Sequence, residues 1–245
     1  MAETGGAVGQ VTSDSLVAPV LSVSRQTRLF GLSVLLAASF APSLMNSTVD
    51  FFAPHSYAST SELGYLRLLL KQVTCLALLV YVLNRNGQTT RDIGFRLSPT
   101  DLVHAGLLIV AGWFAFQLPR SFAISIYRLT GHEPSPYLSS LAGARLVVPT
   151  LLAVVNPFFE ELIVRAFLIS EVVLLTGSIV LAVVISTLLQ TSYHLYQGIP
   201  NAIGHGFVFL MFSFYYVKKR RVWPIILAHM YADVHALVYY SQHAR

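Results

Sequence analysis

The feature that most constrains this chain is a succession of apolar runs, each close to the length that crosses a bilayer. They cover about residues 29–46, 64–83, 102–126, 146–174, 178–196, 202–217 and 222–241, with short gaps between them. A spanning helix needs ~20 apolar residues. A lone segment in lipid must also satisfy its own backbone N–H and C=O groups, which a helix does and an open strand cannot. The expected fold is therefore all-α, a polytopic transmembrane helix bundle of seven spans with length enough for an eighth. Charged residues are only 11% of the 245, against about 25% in a soluble domain, which leaves no room for a sizeable soluble domain. Residues 1–24, rich in Gly, Ala, Val, Ser and Thr, read as a poorly ordered tail; no basic stretch precedes an apolar one there to make a signal peptide. Residues 25–245 read as a single transmembrane domain. The one cysteine, Cys75, allows neither an internal disulfide nor a CxxC site.

The net charge of +5 would suggest nucleic acid in a soluble protein. Here the basic residues sit in the gaps. Arg25 and Arg28 precede the first run, Arg85, Arg91 and Arg96 follow the second, and Lys218, Lys219, Arg220 and Arg221 follow the sixth. With seven spans all three clusters fall on one side, which the positive-inside rule makes cytoplasmic. The expectation is an integral membrane protein with its N-terminus inside and its C-terminus outside, and with no nucleic-acid partner. The Lys-Lys-Arg-Arg run reads as a solvated loop marking the inner face.

Four acids follow Glu133, and all lie in apolar runs: Glu160, Glu161, Glu171 and Asp233. An ionisable group inside a span is costly and points to function. At ~100° per residue Glu161 and Arg165 share a helix face and can pair, while Glu160 diverges from Arg165. The two glutamates are therefore expected to do different jobs. His194 and Glu160 each lie 17 residues from Gly177, at the turn joining the fourth and fifth runs. In an antiparallel pair they share one depth, ~25 Å from the turn. His229 and Asp233, four apart, face the same way. They rise only ~10 and ~17 Å from Val222, so a tilt or a kink at Pro157 is needed to bring them level. Among the other histidines, His205 could support the site and His235 lies near it, whereas His104 reads as interfacial and His55, His132 and His243 as loop or tail. Glu171 reads as interfacial too.

These residues, in this order, resemble the CPBP family of intramembrane glutamic proteases, which includes CAAX prenyl endopeptidases and bacteriocin-processing and self-immunity proteins. The family's EExxxR is matched by Glu160, Glu161 and Arg165. Its FxxxH is matched at His194, with Gln190 where Phe is usual. Its His-x-x-x-Asn/Asp is matched by His229 and Asp233. The resemblance covers about residues 146–240, the expected catalytic core; the first 140 residues carry no motif. It implies that Glu160 and His194 activate a water, that His229 and Asp233 stabilise the oxyanion, and that Glu161 and Arg165 hold the helix. An ionised Asp233 cannot donate a hydrogen bond, so its expected part is to orient His229. Leu195-Tyr196-Gln197-Gly198 resembles the prokaryotic branch.

The function expected is thus an intramembrane endopeptidase acting on a membrane-associated protein or peptide, without a cofactor. Three alternatives stand beside it: a zinc site built from the two histidines and two carboxylates, a proton-coupled transporter using the same buried cluster, and an inactive membrane scaffold or immunity protein.

Overall fold

The computed structural model describes residues 23–52, 61–131 and 147–243. The expected tail, apart from its last two residues, and the positions of His55 and His132 lie outside them. The apolar runs become α1 (Arg25–Phe52), α2 (Glu62–Arg85), α3 (Asp101–Leu129), α4 (Val147–Glu160) continuing through a π-helical segment (Glu161–Phe167) into α5 (Leu168–Thr176), then α6 (Ile179–Ser192), α7 (Ile199–Lys219) and α8 (Trp223–His243). Counting α4 to α5 as one rod, the described residues form an all-α bundle of seven helices. His243, expected in a tail, closes α8.

Local chemistry sets the breaks. Ser61 caps α2 by accepting from the Gly64 N–H, and Ser178 caps α6 by accepting from Leu181. Gly177, at φ +71°, closes α5 in the left-handed region and makes the tight turn into α6. Pro157 removes one backbone donor from α4, and the rod widens to a π-helix four residues later. Such bulges recur at functional sites.

The rod is the centre of the bundle. Every residue from Phe159 to Val173 is buried, as befits a helix surrounded on all sides. Around it, α2 and α8 pack on α4, α6 packs on α5, and α7 joins α3 to α6. The outer surface is apolar. Phe30, Leu70, Leu107, Trp113 and Phe122 on α1–α3 are all more than half exposed, a surface suited to lipid rather than water. Among the described residues α1, α2 and α3 are long and apolar enough to cross a membrane, and α6 is a shorter apolar helix. The protein is an integral membrane protein.

The basic run after α7 is not a free loop. Lys218 and Lys219 are exposed, but Arg220 donates to Ser170 Oγ at 3.0 Å and lies 4.9 Å over the Tyr216 ring. Arg221 pairs with Asp101. Gly94, at φ +84°, lets its loop lie on this strap; a Cβ there would sit 2.6 Å from the Arg220 carbonyl oxygen. Glu171 also departs from expectation. It is buried and ion-paired to buried Arg28 at 2.8 Å, so it ties α5 to α1 instead of sitting at an interface.

Candidate active site

Glu160 and Glu161 part company as the helical angles require. Glu160 lines a large cavity of about 1630 Å³ between the helices, and Glu161 lies behind its wall. Glu161 is fully buried and held from three sides. His229 Nδ1 is 2.8 Å from its Oε1, Arg165 Nε is 3.4 Å from its Oε2, and Gln190 Nε2 is 3.5 Å away. A carboxylate stripped of water needs such partners to remain ionised. Arg165 is itself fully buried. It donates to Ser186 Oγ at 2.8 Å and to Gln190 Oε1, and lies 5.3 Å over the Phe209 ring. Ser186 in turn donates to the Val164 carbonyl at 2.8 Å, inside the π-helical segment.

Gln190 is the connecting residue. Its Nε2 donates to Glu160 Oε2 at 2.7 Å, its Oε1 accepts from Arg165, and its backbone carbonyl lies 2.8 Å from His194 Nδ1. A guanidinium only donates and a carboxylate only accepts, so the amide's orientation is fixed. The carbonyl fixes the imidazole as well. It can only accept, so Nδ1 carries the hydrogen and Nε2 of neutral His194 keeps a free lone pair. His194 lies just past the end of α6, capping the 3₁₀ turn Leu195–Gln197. Glu160 and His194 line the same cavity and make no hydrogen bond to each other. The His205 ring lies 5.0 Å from that of His194, and its Nε2 bonds to Gln197 Oε1 at 2.8 Å.

His229 and Asp233 do reach this depth, His229 meeting Glu161 and Asp233 meeting Asn156. The strap explains it. Arg220 bonds to Ser170, and the Tyr216 hydroxyl lies 3.1 Å from the Ala166 carbonyl, so α8 begins level with Ser170 and not with the turn at Gly177. From Ser170 to Glu161 is nine residues, ~13 Å; from Val222 to His229 is seven, ~10 Å. The depths agree once the right reference is used. The partner that orients His229 also changes. Glu161 meets Nδ1 at 2.8 Å, while Asp233 Oδ1 stands 3.5 Å from Nε2. Glu161 is the closer holder. Asp233 Oδ2 accepts from Asn156 Nδ2 at 3.0 Å, and Asn156 Oδ1 accepts from Gln72 Nε2 at 2.7 Å.

Against this geometry, residues 142–235 match the family model for type II CAAX prenyl endopeptidase Rce1-like proteins. This segment is similar to an Rce1-like domain. All six motif residues lie inside it. No curated protein and no solved structure matches the chain.

The Rce1-like segment supplies most of the site, but Gln72 of α2 lies outside it. Four residues of the polar network escaped sequence reasoning in these roles: Gln72, Asn156, Ser186 and Gln190. A signal for the last two was present. Ser186, Gln190 and His194 recur every four residues on α6 and its exit, a polar stripe in an apolar helix. Asn156 likewise precedes Glu160 by one turn. Glu160, Glu161 and His229 could offer a metal three ligand atoms, all within 4.8 Å of one another. In the described structure Glu161 is already engaged by Arg165, and Glu160 by the Gln190 amide.

Proposed function

We propose that this protein is an intramembrane endopeptidase of glutamic type, hydrolysing a peptide bond of a membrane-associated protein or peptide. The observation that carries the reading is the double grip of Gln190 on Glu160 and His194, side chain on one and carbonyl on the other. It presents a carboxylate and an imidazole lone pair to one cavity, where a water can lie between them. Water is a poor nucleophile at neutral pH and must lose a proton as it attacks. Its oxygen adds to the scissile carbonyl carbon, the carbonyl π electrons move onto the carbonyl oxygen, and the water proton passes to Glu160. As the tetrahedral intermediate collapses, the C–N bond breaks and that proton goes to the departing amine. His229 lines the same cavity and is held at Nδ1 by Glu161, 2.8 Å away. It faces the developing oxyanion from α8. Glu161 and Arg165 hold His229 and the helix in position and take no part in proton transfer.

The mechanism uses no cofactor, and activity is expected to survive chelators; its loss on chelation would favour the zinc reading. Prenylated C-terminal tails are one substrate class suggested by the family's description; leader peptides and sorting tails are others. The basic clusters support a cytoplasmic N-terminus and an outside C-terminus, and the likeness of Leu195-Tyr196-Gln197-Gly198 to the prokaryotic branch supports a prokaryotic plasma membrane. The test is to compare peptide termini by mass spectrometry in native-host membranes carrying wild type or Glu160→Gln. Gln keeps the shape of Glu160 but cannot take a proton. Termini that vanish in the variant at equal abundance support proteolysis. Identical termini overturn it and favour a scaffold or a transporter.

A further inference from the structure

The reaction above needs neutral or positive donors around the oxyanion, and Asp233 at the end of the His-x-x-x-Asp motif cannot be one while ionised. The donor missing from α8 is present one helix away. Asn156 of α4 lines the same cavity as Glu160, His194, His229 and Asp233, one helical turn before Glu160 on the same face. Its orientation follows from its neighbours. Asp233 Oδ2, 3.0 Å away, can only accept, so Asn156 must turn its NH₂ toward it. The Asn156 carbonyl then faces Gln72 of α2, buried and donating at 2.7 Å. One N–H of Asn156 is held by Asp233. The other has no acceptor among the described residues.

We propose that Asn156 is a catalytic residue whose second N–H stabilises the oxyanion. Asp233 and Gln72 then fix the amide from either side. The donor that an amide side chain on α8 would provide has moved to α4, and the carboxylate on α8 has become its anchor. This rests on the peptidase reading. It also gives α2 a part in the site, through Gln72, from outside the Rce1-like segment.

The test is a cycle of four proteins in native-host membranes: wild type, N156A, D233N and N156A/D233N. The readout is the rate at which termini made by wild type and absent with E160Q appear, per unit of folded protein. Removing one oxyanion donor costs about 100-fold or more, and that loss is expected for N156A. D233N brings a second amide to the same place while removing the anchor of Asn156, so its own rate is the reference against which the double variant is read. The loss caused by N156A is expected to shrink below about tenfold when D233N is already present. N156A removes the acceptor for Gln72. If it fails to accumulate, Q72L/N156A is read instead, because it removes the stranded Gln72 donor as well. Equal losses with and without D233N, or an N156A rate near wild type, would overturn the assignment while leaving the peptidase reading intact. A wild type whose termini match those of E160Q would remove both.

Discussion

Replacing Arg165 with methionine takes one cation out of a fully buried knot. It strips Glu161 of its ion pair at 3.4 Å, Ser186 of a donor at 2.8 Å and Gln190 of the donor to its Oε1. Methionine fills much of the volume over Phe209, so the loss is mainly electrostatic. Breaking a buried pair from one side costs about 3–5 kcal/mol, because the remaining charge is left uncompensated. R165M is expected to lose that much, and E161Q/R165M, with no orphan carboxylate, to recover about 1–3 kcal/mol of it. The assay is SDS-driven unfolding in mixed micelles, followed by the fluorescence of Trp223, which stacks on Phe95 at 4.8 Å. An R165M protein within about 1 kcal/mol of wild type, or a double variant equal to the sum of the singles, would refute the reasoning.

Three further outcomes are expected. Arg28→Leu leaves Glu171 buried without its partner at 2.8 Å and should cost about 3–5 kcal/mol in the same unfolding assay. Gly94→Ala and Gly177→Ala both meet positive φ, but only at Gly94 would the new Cβ strike backbone, 2.6 Å from the Arg220 oxygen; Gly94→Ala should lower stability by about 1–3 kcal/mol and by more than Gly177→Ala. Gln190→Leu frees the Glu160 carboxylate to drift within the cavity, and the rate of wild-type termini should fall about 100-fold with the protein still folded.

The helices were legible because the bilayer imposes their length, and the gaps between apolar runs became the breaks. The split between Glu160 and Glu161 was legible because it follows from helical angles alone. The depth of His229 was not. It depends on Arg220 drawing the α7–α8 strap down to Ser170, a contact between residues 50 apart that no periodicity encodes. The same holds for Glu171, whose partner Arg28 lies 143 residues away, and for Gln190. In the sequence Gln190 stands only as a departure from an aromatic motif position; the fold shows that its amide falls between a guanidinium and a carboxylate. Polar residues within apolar spans were the available signal, and their partners were not.

On the proposed mechanism Glu160 performs chemistry while the adjacent Glu161 holds structure. The most direct measurement compares E160Q and E161Q side by side, for unfolding free energy in mixed micelles and for termini in native-host membranes. E160Q is expected to be close to wild type in stability and to generate no termini, and E161Q to be destabilised because Arg165 and His229 lose their carboxylate. Termini persisting in E160Q, or an E161Q protein as stable as wild type, would contradict that mechanism.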